Sequence, residues 1–253
     1  MKNLNLLLIS LSVIFAFSIL YFSPYAISQA PRIHVKEGTS SNWAGYAALT
    51  NLQKPQNSAV TDVKGSWTVP SVSCTSTNSY SSFWIGIDGY SSNTVEQIGT
   101  DSDCSSGKAV YYAWYEMYPK YPVNLKMAIS PGDLITAEVK FLGSGNFQLT
   151  ITDLTTGATF LTTQKSPSAK RSSAEWIAEA PWSGGVLPLA KFGTVSFTSA
   201  QATLNGHPGS ISDTAWQNDA ITMTTSSGAP KATPSTLSSD GSSFSITWKS
   251  AGP

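Results

Sequence analysis

Ala174-Glu175-Trp176-Ile177-Ala178-Glu179 reads as a strand that carries an acid where a sheet interior is expected. Alternation puts Glu175, Ile177 and Glu179 on one face and Ala174, Trp176 and Ala178 on the other. With the Ile177 face buried, desolvation lifts the Glu175 carboxyl above its free value of about 4.3, so that it can be base in one step and acid in the next. With that face open to water, the same pattern is an edge strand bearing two solvated acids. Upstream, Thr94-Val95-Glu96-Gln97-Ile98-Gly99-Thr100 repeats the arrangement with an amide. Glu175 and Gln97 are the two positions at which chemistry is expected.

Outward from these stretches almost nothing reads as helix. Strand-like runs recur at Trp43 to Leu49, Val63 to Val69, Ser81 to Ile87, Thr94 to Ile98, Val110 to Tyr118, Leu134 to Phe141, Asn146 to Asp153, Ala158 to Thr163, Ala174 to Glu179, Phe192 to Thr198, Ala220 to Thr224 and Phe244 to Trp248. Turn signals separate many of them, among them Asp88-Gly89, Thr156-Gly157, Asn205-Gly206 and Asp240-Gly241. A dozen short strands in about 200 residues imply an all-β fold of two stacked antiparallel sheets in one domain. The polar connection 162–171 places three basic side chains just before Glu175, either overhanging the site or serving only as a loop. Residues 225–239 are rich in Ser, Thr, Pro and Gly, but the Phe244 to Trp248 run follows them, so a single domain over 41–253 is expected.

The apolar stretch from Leu4 to Phe22, preceded by Lys2 and followed by Ser28-Gln29-Ala30, reads as a secretory signal peptide over 1–30, with 31–40 as a short N-terminal segment. An uncleaved anchor is the alternative, and either way the remainder lies outside the cytoplasm. Fifteen basic and fifteen acidic side chains, 12% of residues charged in all, suggest neither a nucleic-acid binder nor an acidic disordered chain. So sparse a charge also suits an acidic medium, because few carboxylates are there to be unbalanced by protonation. Cys74 and Cys104 flank the segment that holds Gln97. A disulfide between them fits an oxidising compartment, with two free thiols as the alternative. Together with His34 and His207 they do not form a zinc cluster, and no metal or other cofactor is expected.

On Val110 to Tyr118, alternation gives Trp114, Glu116 and Tyr118 one face, an acid between aromatics that reads either as a binding groove or as a core ladder with a rim acid. The turn after Phe83-Trp84-Ile85-Gly86-Ile87-Asp88-Gly89 holds Trp84 and Asp88 near one edge. A nucleophile elbow, a zinc-binding His-Glu-x-x-His helix, a phosphate-cradling loop, a dinucleotide fingerprint and paired aspartic-peptidase motifs are all missing from the sequence. What remains for a hydrolase is carboxylate and amide chemistry.

Six pieces in order, Ser41-Asn42-Trp43-Ala44-Gly45-Tyr46, Gly65-Ser66-Trp67-Thr68-Val69-Pro70, Phe83 to Gly89, Glu96 to Thr100, Ala113-Trp114-Tyr115-Glu116-Met117-Tyr118-Pro119 and Ala174 to Ile177, make the chain resemble the glutamic peptidases, or eqolisins. The resemblance implies a β-sandwich of two antiparallel sheets of about seven strands each. It also implies a secreted acid endopeptidase with a Glu/Gln dyad on Glu175 and Gln97, binding-cleft residues at Trp43, Trp84, Asp88, Asp101, Glu116 and Tyr118, and protein or peptide substrates. A monomer is expected, with neither nucleic acid nor, once the signal is cleaved, membrane as partner. Tyr112 stands where some members of that family carry an acid, which bears on substrate preference. The alternative from another class is a secreted glycan-binding or glycoside-hydrolysing sandwich, with Glu116 and Glu175 as its paired carboxylates.

Overall fold

The computed structural model describes residues 38–252, so the expected signal peptide over 1–30 and most of the 31–40 segment lie outside the described residues. One half of the strand order runs β10 (Thr159–Lys165), β9 (Asn146–Asp153), β8 (Leu134–Gly143), β3 (Val60–Thr68), β12 (Thr194–Leu204), β16 (Phe244–Trp248) and β15 (Pro230–Pro234). The other half runs β14 (Gln217–Thr224), β2 (Trp43–Leu49), β11 (Ala174–Glu179), β4 (Ser82–Ile87), β5 (Val95–Ser105), β6 (Lys108–Tyr118) and β7 (Val123–Asn124). β15 joins β14, so the two seven-stranded sheets are continuous at one side of the sandwich. Short β1 (Thr39–Ser40) pairs parallel with β14, and β13 (His207–Ser210) pairs with β12; the ladders along the main path are antiparallel. This is the all-β, two-sheet sandwich expected from the strand pattern.

The inner faces meet in one core. Ala44, Tyr46, Ala48, Phe83, Ile85, Ile98, Ala174, Trp176 and Ala178 from the second sheet oppose Val63, Trp67, Ile135, Val139, Phe147, Leu149, Val195 and Phe197 from the first. Two core indoles satisfy their N–H across the sandwich, Trp67 to Thr100 Oγ1 at 2.9 Å and Trp176 to the Lys64 carbonyl at 2.9 Å. The pattern that puts Trp176 inward puts Glu175, Ile177 and Glu179 on the opposite face, where a second apolar cluster gathers Trp43, Ala47, Trp84, Val95, Trp114, Ile177 and Ile221. β11 lies between β2 and β4 rather than at an edge, which removes the reading of Glu175 as a solvated edge acid.

Strand ends differ from the sequence expectation where polar residues are buried. β5 continues past Ile98 to Ser105 because Thr100, Asp101, Ser102 and Asp103 are all buried within the sheet. Gln164 and Lys165, expected only in the polar connection, close the β10 edge strand, and Pro230–Pro234 forms a strand inside the Ser/Thr/Pro-rich stretch with its prolines at the two ends. Cys74 and Cys104 form a disulfide that ties the 70–80 loop to the end of β5.

Candidate active site

Register brings the two expected residues into one row. Glu175 is opposite Gly86, Gly86 opposite Gln97, and Gln97 opposite Glu116; on the other side Glu175 is opposite Ala47, and Ala47 opposite Asp219. Directly opposed residues share a face, so Asp219, Ala47, Glu175, Gly86, Gln97 and Glu116 form one transverse row across the sheet. Two strand spacings set the backbones of Glu175 and Gln97 roughly 9.6 Å apart, and the residue between them carries no side chain. A Cβ at Gly86 would lie 3.1 Å from the Gln97 Cβ and 3.1 Å from Cζ3 of Trp84. The glycine therefore leaves no side chain between the two longer ones. Glu175 is fully buried and Gln97 is 2% exposed.

Glu116 completes the row. Its carboxylate accepts a short hydrogen bond from Gln97 Nε2. A carboxylate can only accept, so the contact fixes which end of the amide carries the nitrogen. Among the described residues no donor reaches the buried Gln97 Oε1.

One step along the strands, Ile177, Trp84, Gly99 and Trp114 form the next row, and a further step gives Trp43, Glu179, Ser82, Asp101 and Tyr112. Gly99 makes room for Trp84, since a Cβ there would lie 2.6 Å from the Trp84 Cβ. The acids of the outer row hold the indoles of the inner one: Glu179 Oε2 accepts Trp84 Nε1–H at 2.9 Å, and Asp101 Oδ1 accepts Trp114 Nε1–H at 2.5 Å. Asn42 Nδ2 donates to the other Glu179 oxygen at 3.0 Å. Burial, opposed by hydrogen bonds and reinforced by the Glu179 charge, pushes the Asp101 carboxyl up to about 7.

Among the remaining residues expected at the site, Trp43 packs edge-on against Trp84 with ring centroids 5.0 Å apart, and Tyr118 borders the same apolar cluster ahead of a cis Pro119. Asp88 is placed differently. It is fully buried and accepts from Arg171 N at 2.6 Å, Ser172 N at 2.9 Å, Ser172 Oγ at 2.8 Å and Thr94 Oγ1 at 3.3 Å. Four donors engage this carboxylate, so in the structure it anchors the loop that delivers β11. That loop does not present Arg171 to the cleft, because the guanidinium lies 3.8 Å over the Phe141 ring and bonds the Val60 carbonyl. Sequence reasoning passed over Gly86 as a spacer, Asp103 behind Asp101, and Asp219, which accepts from Gly38 N–H and from Tyr90 Oη at 2.9 Å at the row's far end. Asp101-x-Asp103 on one strand face was the available signal for the second of these.

Known proteins resemble this chain in sequence and in fold. The Peptidase A4 family model matches residues 41–248. Aspergillopepsin-2 of Aspergillus niger is 34% identical over 195 residues, spanning 67% of each chain. A crystal structure of scytalido-glutamic peptidase with a peptide-based transition state analog superposes with a TM-score of 0.69 at 26% identity, covering 83% of this chain and 99% of the other. Aspergilloglutamic peptidase from Aspergillus niger superposes at a TM-score of 0.60 and 31% identity, covering 67% of this chain and 99% of the other.

Proposed function

Because the chain belongs to the Peptidase A4 family, the glutamic peptidases, and is an acid endopeptidase working through a Glu/Gln dyad, we propose that Glu175 and Gln97 are that dyad. The observation that carries the assignment is their shared row with only Gly86 between them. Ionised Glu175 removes a proton from a water held between the two side chains, and the water attacks the scissile carbonyl. Gln97 has one amide N–H bonded to Glu116, which leaves the other for the oxyanion, in a floor from which bulk water is excluded. The proton on Glu175 then passes to the departing nitrogen, without which an amide leaving group is too poor to go. Half-buried Tyr118, packed on the buried cluster of Trp84 and Trp114, offers apolar contact to side chains of a protein substrate. The disulfide and the sparse charge support a protein that works outside the cytoplasm.

In the glycosidase alternative Glu116 and Glu175 would face each other across a sugar ring, at roughly 5 to 9.5 Å. Gln97 stands between them and already engages Glu116, which favours the peptidase reading. The test is cleavage of a denatured protein at acid pH in the presence of pepstatin. Glu175→Gln is expected to lose about three or more orders of magnitude in rate while unfolding like wild type, and Gln97→Ala to lose about two to three. A folded Glu175→Gln protein that cleaves at the wild-type rate overturns the assignment.

A further inference from the structure

Asp103 takes no part in the dyad, yet it is buried and meets a second buried carboxyl through a single hydroxyl. Tyr112 Oη lies 2.7 Å from Asp101 Oδ2 and 2.9 Å from Asp103 Oδ2. A phenol has one proton to donate. With both acids ionised, one of these contacts would press an oxygen lone pair against a buried carboxylate. The other oxygens are engaged: Asp101 Oδ1 accepts from Trp114 Nε1, and Asp103 Oδ1 accepts the Ser81 N–H at 3.0 Å. With the Ser82 hydroxyl also bonded to Asp101, two arrangements let the Tyr112 hydroxyl accept from one acid and donate to the other, and both keep one proton on the acid pair. Either Asp103 donates to Tyr112 and Tyr112 to Asp101, or the chain runs the other way.

We propose that Asp101, Tyr112 and Asp103 form a one-proton clamp that positions Trp114 beside the dyad row, and that loss of this proton sets the alkaline limit of the active fold. The titratable groups facing the clamp deepen the effect. β11 contributes Glu179, whose charge repels Asp101; β4 contributes the Ser82 hydroxyl, and Ser81 just before it a backbone N–H; β6 contributes Tyr112 itself, close to Trp114. Burial first, then the Asp101 charge, raises the Asp103 carboxyl well above the usual range. A carboxyl whose folded value is raised holds its proton when the unfolded chain, at about 4, has lost it. The clamp's stabilisation is complete below about pH 4 and disappears as pH rises towards the folded value, about 7 for Asp101.

Asp103→Asn supplies the test, because an asparagine keeps an acceptor for Ser81 N–H and gives Tyr112 a donor that cannot titrate. The expected result is a fall in Tm between about pH 4 and pH 7 that is smaller than in wild type by about 4 °C or more. The alkaline midpoint of kcat/KM should rise by about one pH unit. A Tm profile and an activity profile both parallel to wild type overturn the proposal. Should the variant not fold, carboxyl-carbon NMR of the wild type decides. One acid of the pair is expected to remain protonated to about pH 6, and two acids titrating near about 4 refute the clamp. The activity arm rests on the peptidase reading, whereas unfolding and NMR do not, so failure of the clamp is separable from failure of the dyad.

Discussion

Gln97 can turn its amide either way, and nothing in a glutamine prefers one orientation over the other. Glu116 makes the choice, because its carboxyl oxygen accepts from the amide nitrogen. Glu116→Gln presents both a donor and an acceptor to the same site and so removes that selection. We expect kcat to fall about tenfold with KM little changed and thermal unfolding unaltered, because the donor aimed at the oxyanion is misplaced while the cleft wall is intact. Unchanged kcat in steady-state assays would show that Gln97 keeps its orientation without help. Glu175 was legible in the sequence as an acid out of place in a strand, but the function of Glu116 was not. Its pairing with Gln97 comes from a register between β5 and β6 that alternation alone leaves undetermined.

At the scale of strands, the site depends on β4 lying between β11 and β5 with a glycine at the crossing. Gly86→Ala places a methyl group 3.1 Å from the Gln97 Cβ, from the Glu96 carbonyl oxygen and from Trp84 Cζ3, all tighter than ordinary contact. The Glu96 oxygen is backbone and cannot swing aside, so Gln97 or the sheet must shift. An approach misplaced by about 1 Å costs on the order of a hundredfold, and we expect a loss of that size in kcat/KM measured on a denatured protein substrate. Activity within twofold of wild type would mean that the gap over Gly86 is not where the substrate reacts. The same strand-level logic explains Asp88. The Asp-Gly turn was readable, with Asp88 at φ 75° and Gly89 at φ 114°, but the four donors on the Asp88 carboxylate come mainly from a loop more than eighty residues away.

Across the whole molecule, protons held in the folded state tilt stability towards acid. On the first sheet, Asp62 is pushed up to about 6 by burial and by the Glu138 charge, adding to the Asp101 and Asp103 pair. Stabilisation from a raised carboxyl is present in full below about 4 and is lost as pH climbs through the folded value. Lys231 acts in the opposite sense: burial lowers its ammonium to about 8, a cost that is relieved only above that pH. The expected Tm is therefore highest on the acid side of neutrality, and Asp62→Asn should flatten part of the decline between about pH 4 and pH 6 in differential scanning calorimetry. A variant whose Tm follows the wild-type curve would show that Asp62 titrates normally. The period-two patterning, the turn residues and the scarcity of charge determined an all-β sandwich with an acid and an amide inside strands, because alternation is a local property of each strand. Which strands are neighbours is not local. Only the assembled sheet set Glu175, Gly86, Gln97 and Glu116 in one row, closed Tyr112 between two acids and turned Asp88 onto a distant loop, since contacts between strands far apart in the chain depend on register and packing.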